Sequence, residues 1–486
     1  MISSEIYPLA KTGGLADMVG ALARTLVRSG TAVTLVTPAY QSTLEAFPEV
    51  QEAGIEFAVP IAHRQVHARI LKTTLAEDLT VYLIQGADYF ARYGLYGTPA
   101  GDYPDNAERF AFFTKAALAL AQQTGPWNLL HCHDWQTALA PLLKQAHASL
   151  YPGLQQSKTL LTIHNIAYQG IFPASFWPLL NLEPRYFSPP YLEFFGWINF
   201  LKGGIVFADA ITAVSKKYAR EITTPEYGYG LDGVIRTREA QLVGILNGVD
   251  YSEWNPATDT HIKKNYQPPK LYGKRVCKSE LQKYFALPLR SKVPLFAAIS
   301  RLVDQKGLDL FVEAAAELLR LDLQLVVLGT GDAKYQDFFT NLARQYPDKL
   351  GVKIGFDTDL AHKIEAGADF FLMPSKFEPC GLNQMYSLKY GTIPIVRATG
   401  GLEDTIEDFD PLLVNGNGLK FAAYSGAVLV EAVKRAIAIY SNRLIWSRLL
   451  KNAMAADFSW GRSAAAYARL YENLISNRPL ALDKTA

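Results

Sequence analysis

Short apolar runs punctuate the chain at 129–130, 159–163, 210–214, 294–299, 323–328, 370–373 and 393–396, with amphipathic stretches such as 106–122 and 427–440 between them. Runs of this length, apolar at consecutive positions, predict strands buried on both faces. Alternating with helical periodicity, they predict βαβ units on parallel sheets covered by helices. Two series of such units are separated near Asn247-Gly248-Val249-Asp250, where turn-forming residues predict a hinge. This places one α/β domain at 1–245 and a second at 250–456. The closing segment 459–486 opens with Ser459-Trp460, and Trp460, Ala464, Tyr467, Leu470 and Tyr471 fall close to helical spacing. It is expected to pack against a domain and to cross back to the first.

Parallel sheets bind ligands beyond the carboxyl ends of their strands, where helix N-termini point. The chemistry-bearing residues sit there. His131-Cys132-His133-Asp134-Trp135 follows one run, His164-Asn165 the next, Gly329-Thr330-Gly331-Asp332 another, and 375–381 another. Such clusters in both halves imply a cleft between two domains.

Three loops carry charge in a form suited to phosphate. KTGGLAD, from Lys11 through Gly14 to Asp17, combines a lysine, adjacent glycines and the start of a helical pattern. Glycines allow close backbone approach, and a helix start offers amides and a positive dipole end. It matches neither a GxGxxG nor a Walker loop, so a phosphate site and a plain turn both fit. Arg301 and Lys306 lie five residues apart in SRLVDQKG. Cations so placed stabilise the charge of a departing diphosphate, although a solvated surface pair has the same spacing. In FEPCGLNQ, Glu378 precedes Pro379, Cys380, Gly381 and Leu382 at the start of a helical pattern. The Gly381 and Leu382 amides suit a phosphate and the Glu378 carboxylate suits sugar hydroxyls, while an acidic neighbour of a helix cap is the plain alternative.

His164, Asn165, His131, His133 and Asp134 are candidates for hydrogen bonds to a neutral ligand, and Tyr96, Trp135 and Tyr168 for stacking on pyranose faces. Histidines and aromatics also fill cores. Asp357-Thr358-Asp359 and Asp408-Phe409-Asp410 have the spacing of a carboxylate pair that holds a divalent cation, but neither has a second acidic cluster or a phosphate loop beside it in sequence. No metal and no other cofactor is expected.

With 486 residues, 49% of them hydrophobic and 19% charged, the chain has material for two cores and no bias toward disorder. A net charge of +2 without like-charge runs excludes a nucleic-acid stripe or polybasic membrane anchor. Three scattered cysteines fit a reducing compartment. Neither a signal peptide nor a membrane span is expected, so the expected location is the cytoplasm, or a plastid if a transit peptide was removed.

Taken together, KTGGLADM, HCHDWQTAL, TIHNIAYQGIF, TAVSKKYAREI, TPEYGYGLDGVI, GILNGVD, SRLVDQKGLD, FLMPSKFEPCGLNQMY and YGTIPIVRATGGLEDT closely resemble the bacterial glycogen synthases and plant starch synthases, in that family's order and over nearly the whole chain. The resemblance implies a GT-B fold, two Rossmann-like domains facing across a deep cleft. It also implies metal-independent transfer of glucose, with retention, from ADP-glucose to the non-reducing end of an α-1,4-glucan. Carried over by motif, it implies that Lys11, Arg301 and Lys306 neutralise the diphosphate, with Gly14 and Asp17 in the first of these loops. Glu378, Cys380 and Gly381 would contact the donor glucose, and the Gly381 and Leu382 amides the distal phosphate. His164, Asn247 and Asp134 would surround the reacting sugar with Tyr96 nearby, and Phe356 would stack on the base.

TGGL recurs at 399–402, inside ATGGLED. Both copies read as strand-to-helix corners, the first alone carrying a lysine and the second being as readily a structural echo. Family chains have an apolar strand before the Ser-Glu pair, whereas only Met1-Ile2-Ser3 precede Ser4-Glu5 here, so a central strand is expected to be largely missing. Residues 415–421, NGNGLKF, also depart from the usual Gly-Thr-Gly-Phe. A UDP-glucose-dependent transferase of the same fold and a silent glucan-binding protein are the competing readings. A dinucleotide oxidoreductase lacks its glycine fingerprint here.

Overall fold

Strands buried on both faces form a parallel core in each half of the chain. The computed structural model describes residues 1–86, 88–98 and 101–480. It divides into one unit of Met1–Gly248 with the chain from Trp460 onward, and another of Val249–Ser459. The two chain crossings run side by side, with the Val249 amide donating to the Phe458 carbonyl at 2.7 Å and Val249 bridging Ser459.

In the first unit, Leu242–Gly244, Ala210–Ala213, Lys158–Ile163 and Leu129–His133 lie in that order, all parallel. Thr34–Pro38 pairs in parallel with Leu79–Gly86, whose far edge carries the antiparallel strands Arg64–Ala76 and Gln51–Ile61. Ile2 joins the two groups, bridging Cys132 on one side and Val36 on the other. Its amide reaches the His131 carbonyl at 2.8 Å, while the Val36 amide reaches Met1 at 2.9 Å. The central position is therefore held by a short stub. From the stub the chain winds one way to Thr34–Pro38; from Leu129–His133 it winds the other way. That reversal is a topological switch point, the place where such sheets leave a crevice.

Helix Gly14–Arg28 and helix Trp460–Ile475 share one core with the sheet, burying Leu22, Leu26, Leu35, Leu160, Tyr467, Leu470 and Leu474. Each such leucine contributes about 1.5–3 kcal/mol by leaving water. Helix Asn106–Thr124 covers the stretch expected to be amphipathic, yet it is buried almost all round. Its cations make this workable. Lys115 donates to the carbonyls of Pro60 and Leu179, both at 2.8 Å, and to Asn181 at 2.7 Å. Arg109 donates to the carbonyls of Tyr89 at 2.7 Å and Leu95 at 3.0 Å, pinning the connection that carries Tyr96. Buried charge is tolerated where every donor finds an acceptor.

The second unit has six parallel strands in the order Leu350–Ile354, Gln324–Gly329, Leu295–Ile299, Phe370–Met373, Ile393–Arg397 and Leu419–Phe421. Winding begins at Leu295–Ile299, proceeds outward, and then returns to Phe370–Met373 on the other side. The switch point here lies between the strands that lead into SRLVDQKG and FEPCGLNQ.

Candidate functional site

Glu5, to which the sequence assigned no role, organises the KTGGLAD turn. One carboxylate oxygen accepts the amides of Thr12 at 2.5 Å and Gly13 at 3.3 Å. The other accepts the hydroxyls of Thr12 at 2.7 Å and Tyr96 at 2.6 Å. A carboxylate only 3% exposed is thereby satisfied by four donors. The signal in the sequence was a charged residue just beyond the apolar stub, ahead of a glycine turn. Two amides that the turn would offer an anion are thus engaged, and those from Gly14 on, in the first turn of the helix, are not engaged by Glu5. Lys11 pairs with Asp17 at 2.8 Å at a partly exposed rim. Burial raises the pKa of Asp17, and Lys11 pulls against it.

Asp134 leaves its strand in the left-handed region, at φ 54°, and its Oδ1 accepts the His164 amide at 2.7 Å. Non-glycine residues held there cost about 1–3 kcal/mol and concentrate at functional sites. His164 Nε2 lies 3.1 Å from His133 Nδ1, and burial lowers the His164 pKa to about 3, so the ring is a neutral hydrogen-bonding group. The buried Asn247 Oδ1, beyond the end of Leu242–Gly244, has no partner among the described residues. Buried carboxamide oxygens are rarely left so, and a ligand hydroxyl would complete it. His131 is corrected from ligand candidate to core residue. It is 1% exposed and its ring nitrogens are held by Tyr471 at 2.7 Å and Thr162 at 2.6 Å. Trp135 packs edge-on against Phe110 with centroids 5.0 Å apart, under the helical layer.

Burial raises the Asp134 pKa to about 7, against the pull of the His164 and Asn165 amides. The folded value lies above the unfolded one, so the folded chain binds the extra proton and stability falls as pH rises from about 4 through 7. Asp134→Asn is therefore expected to raise the melting temperature at pH 8, with the gain shrinking toward pH 4, and to lower activity. A melting series across pH checks this; a gain unchanged at pH 4 would place the cost elsewhere than in the carboxylate charge.

In the second unit, Gly307 at φ 70° lets SRLVDQKG lie directly on the neighbouring loop, where a Cβ would stand 2.0 Å from the Pro374 carbonyl. The Lys376 amide donates to the Gln305 carbonyl at 2.9 Å. Lys306 Nζ then meets Glu378 Oε2 at 2.6 Å, with the Ser375 hydroxyl 3.1 Å from the same oxygen. Arg301 reaches Gln305 at 3.4 Å. After Glu378 the chain bends through Gly381 at φ 71° into helix Asn383–Tyr390, with Cys380 buried and Leu382 at the N-cap. Asn383 ties that end to the Ile299 carbonyl at 2.9 Å. Phe356 is 84% exposed on the loop after Leu350–Ile354 and joins none of these groups.

The second TGGL lies beneath the same loop. Gly401 donates its amide to the Glu378 carbonyl at 3.0 Å, and a Cβ on it would lie 2.0 Å from the Cys380 carbonyl. The two acidic pairs have local duties. Asp357 caps a helix and Asp359 pairs with Lys363, while Asp408 pairs with Arg435 and Asp410 caps the turn at Leu412.

Residues 1–237 match the starch synthase catalytic domain family, and residues 281–448 match glycosyl transferases group 1. Glycogen synthase of Koribacter versatilis (strain Ellin345) is 46% identical over 470 residues, covering 97% of this chain and 96% of the relative. Glycogen synthase of Anaeromyxobacter sp. (strain Fw109-5) is 49% identical over 479 residues, covering 97% and 98%. The solved catalytic domain of starch synthase IV from Arabidopsis thaliana, bound to ADP and acarbose, is similar at a TM-score of 0.89 and 34% identity over 98% of each chain. Sucrose-phosphate synthase from Thermosynechococcus elongatus, at 0.61 and 17% identity, shares the fold.

Proposed function

The chain belongs to the family of bacterial glycogen synthases and plant starch synthases, and from that membership we propose that it transfers glucose from ADP-glucose to the non-reducing end of an α-1,4-glucan. The fold is GT-B, and the enzyme is a retaining glucosyltransferase. As the bond between glucose and diphosphate breaks, negative charge grows on the nucleotide and positive charge on the ring. Lys306, Arg301, Lys11 and the Gly381 and Leu382 amides favour the first. Glu378, neutral His164, Asp134 and Asn247 hold the sugar, Tyr96 lies nearby, and Phe356 stacks on the base. Retention with no opposed nucleophile corresponds to attack on the face that ADP leaves.

The observation that carries this reading is the contact of Lys306 with Glu378 at the second switch point. It joins a cation for the leaving group to a carboxylate for the sugar in one rigid corner. Donor choice is ADP-glucose, supported by the ADP-bound plant relative; the reaction needs no metal and runs in the cytoplasm. Among the described residues no helix is long and apolar enough to cross a membrane. Incorporation of labelled glucose into a glucan primer tests the reading. ADP-glucose is expected to support transfer well above UDP-glucose, unchanged by chelator. Loss of transfer on chelation would overturn metal independence, and failure with both donors would leave a glucan-binding protein.

A further inference from the structure

The first unit presents exposed rings in one place. Phe195 is 82% exposed, Tyr168 50% and Tyr229 42%. Phe195-Gly196 forms the tip of a hairpin between strands Glu193–Phe194 and Trp197–Asn199, with φ of 52° and 83°. Tyr229-Gly230, in the turn that leads into helix Asp232–Arg236, repeats the left-handed pair of angles, at 49° and 80°. Such turns favour asparagine or aspartate before glycine, because a large side chain at positive φ is strained. Two aromatics at left-handed positions, Phe195 almost fully exposed and Tyr229 only part-covered, break this local rule, the pattern expected of a functional surface.

The two turns are adjacent and tied down by hydrogen bonds. A Cβ on Gly230 would lie 3.0 Å from the Phe194 ring and 3.9 Å from the Phe195 ring, so the turns touch. Gln169 donates to the Tyr229 carbonyl at 3.0 Å, and Asn199 donates to Gln169 at 2.6 Å. From beneath, the buried Lys202 donates to the carbonyls of Pro189 and Glu193, and the Gly196 amide closes on Glu193 at 2.6 Å. Burial first, and the Tyr168 phenol next, raise the pKa of Tyr229, as expected of neighbouring hydroxyls.

We propose that Tyr168, Phe195 and Tyr229 form an aromatic platform that holds the α-glucan acceptor, Phe195 carrying the largest share. The ligand class follows from the surface. Flat ring faces stack on the apolar faces of pyranoses, and the tyrosine hydroxyls provide polar partners at the rim. The platform is also continuous with the site, since Tyr168 follows His164 by four residues and Ala167 donates to Asn165 at 3.0 Å. This inference rests on the glucan acceptor of the proposed function.

Phe195→Ser and Tyr229→Ser test it, read first by retardation of the purified protein in native gels containing glycogen and then by KM for glycogen. Each ring is expected to weaken glycogen affinity roughly three- to tenfold. KM for ADP-glucose and the melting temperature should stay near wild type, because the side chains are exposed. Phe195→Tyr, which keeps a ring, should restore retardation. Unchanged retardation and KM in both variants would overturn the platform, as would a change in oligomeric state without a change in glycogen affinity, which would mark a protein contact. Gel retardation needs no turnover. An inactive wild-type chain that is still retarded through these rings would refute transferase activity and leave the platform standing.

Discussion

Replacing Lys306 by alanine is expected to cut kcat about 10²–10³-fold, the loss that follows removal of one preorganised donor aimed at developing negative charge. Were Lys306 the solvated surface cation that its spacing also allows, the melting temperature would hardly move. The geometry changes that expectation. Lys306 meets Glu378 at 2.6 Å, with the side chains 19% and 7% exposed. Removing one partner of a largely buried pair leaves the other uncompensated, so a loss of about 1–3 kcal/mol should accompany the loss of rate. The two effects separate in Lys306→Met combined with Glu378→Gln. That variant has no buried charge to strand, and it should regain most of the stability while staying inactive. Single-turnover rates and urea midpoints for the single and double variants measure both terms. Normal turnover in Lys306→Ala would remove the lysine from the chemistry.

The sheet cores were legible because a strand buried on both faces needs consecutive apolar residues, whatever surrounds it. Runs 294–299, 323–328, 370–373 and 393–396 accordingly fall on strands Leu295–Ile299, Gln324–Gly329, Phe370–Met373 and Ile393–Arg397. Asp134, His164 and the loop of Glu378 likewise stand just beyond strands Leu129–His133, Lys158–Ile163 and Phe370–Met373, where strand-exit logic expected them. Partners across long sequence separations were not legible. Glu5 contacts Tyr96 across 91 residues and Lys306 contacts Glu378 across 72, and no local period encodes either pairing. Ile2 read only as the remnant of a largely missing strand, for a related reason. A residue that bridges Cys132 and Val36 has no pattern of its own, because its strand character comes from its neighbours. His131 shows the limit of residue chemistry as a guide. It follows an apolar run as His164 does, yet it lies within strand Leu129–His133, and Tyr471 from near the far end of the chain closes over it.

A glycine from each TGGL turn, Gly401 (the second of its pair) and Gly13 (the first of its own), should respond differently to alanine. Gly401→Ala is expected to lower stability by about 3 kcal/mol or more and to abolish most activity. Its Cβ would stand 2.0 Å from the Cys380 carbonyl and 2.5 Å from the Cys380 Cα, and backbone atoms cannot rotate aside as a side chain does. The displaced segment is the one that presents Glu378 to Lys306, so the chemistry is lost with the packing. Gly13 has nothing within 4 Å of an added Cβ, and its φ of −161° is open to any residue. Gly13→Ala should leave stability within about 0.5 kcal/mol of wild type. The open side of Gly13 is where the proposed diphosphate would approach, so the cost should instead be a raised KM for ADP-glucose. Denaturant midpoints and donor KM for the two variants decide the matter. If Gly401→Ala melts like wild type, the second turn is no foundation for the Glu378 loop; if Gly13→Ala leaves donor KM unmoved, the first turn does not face the phosphates.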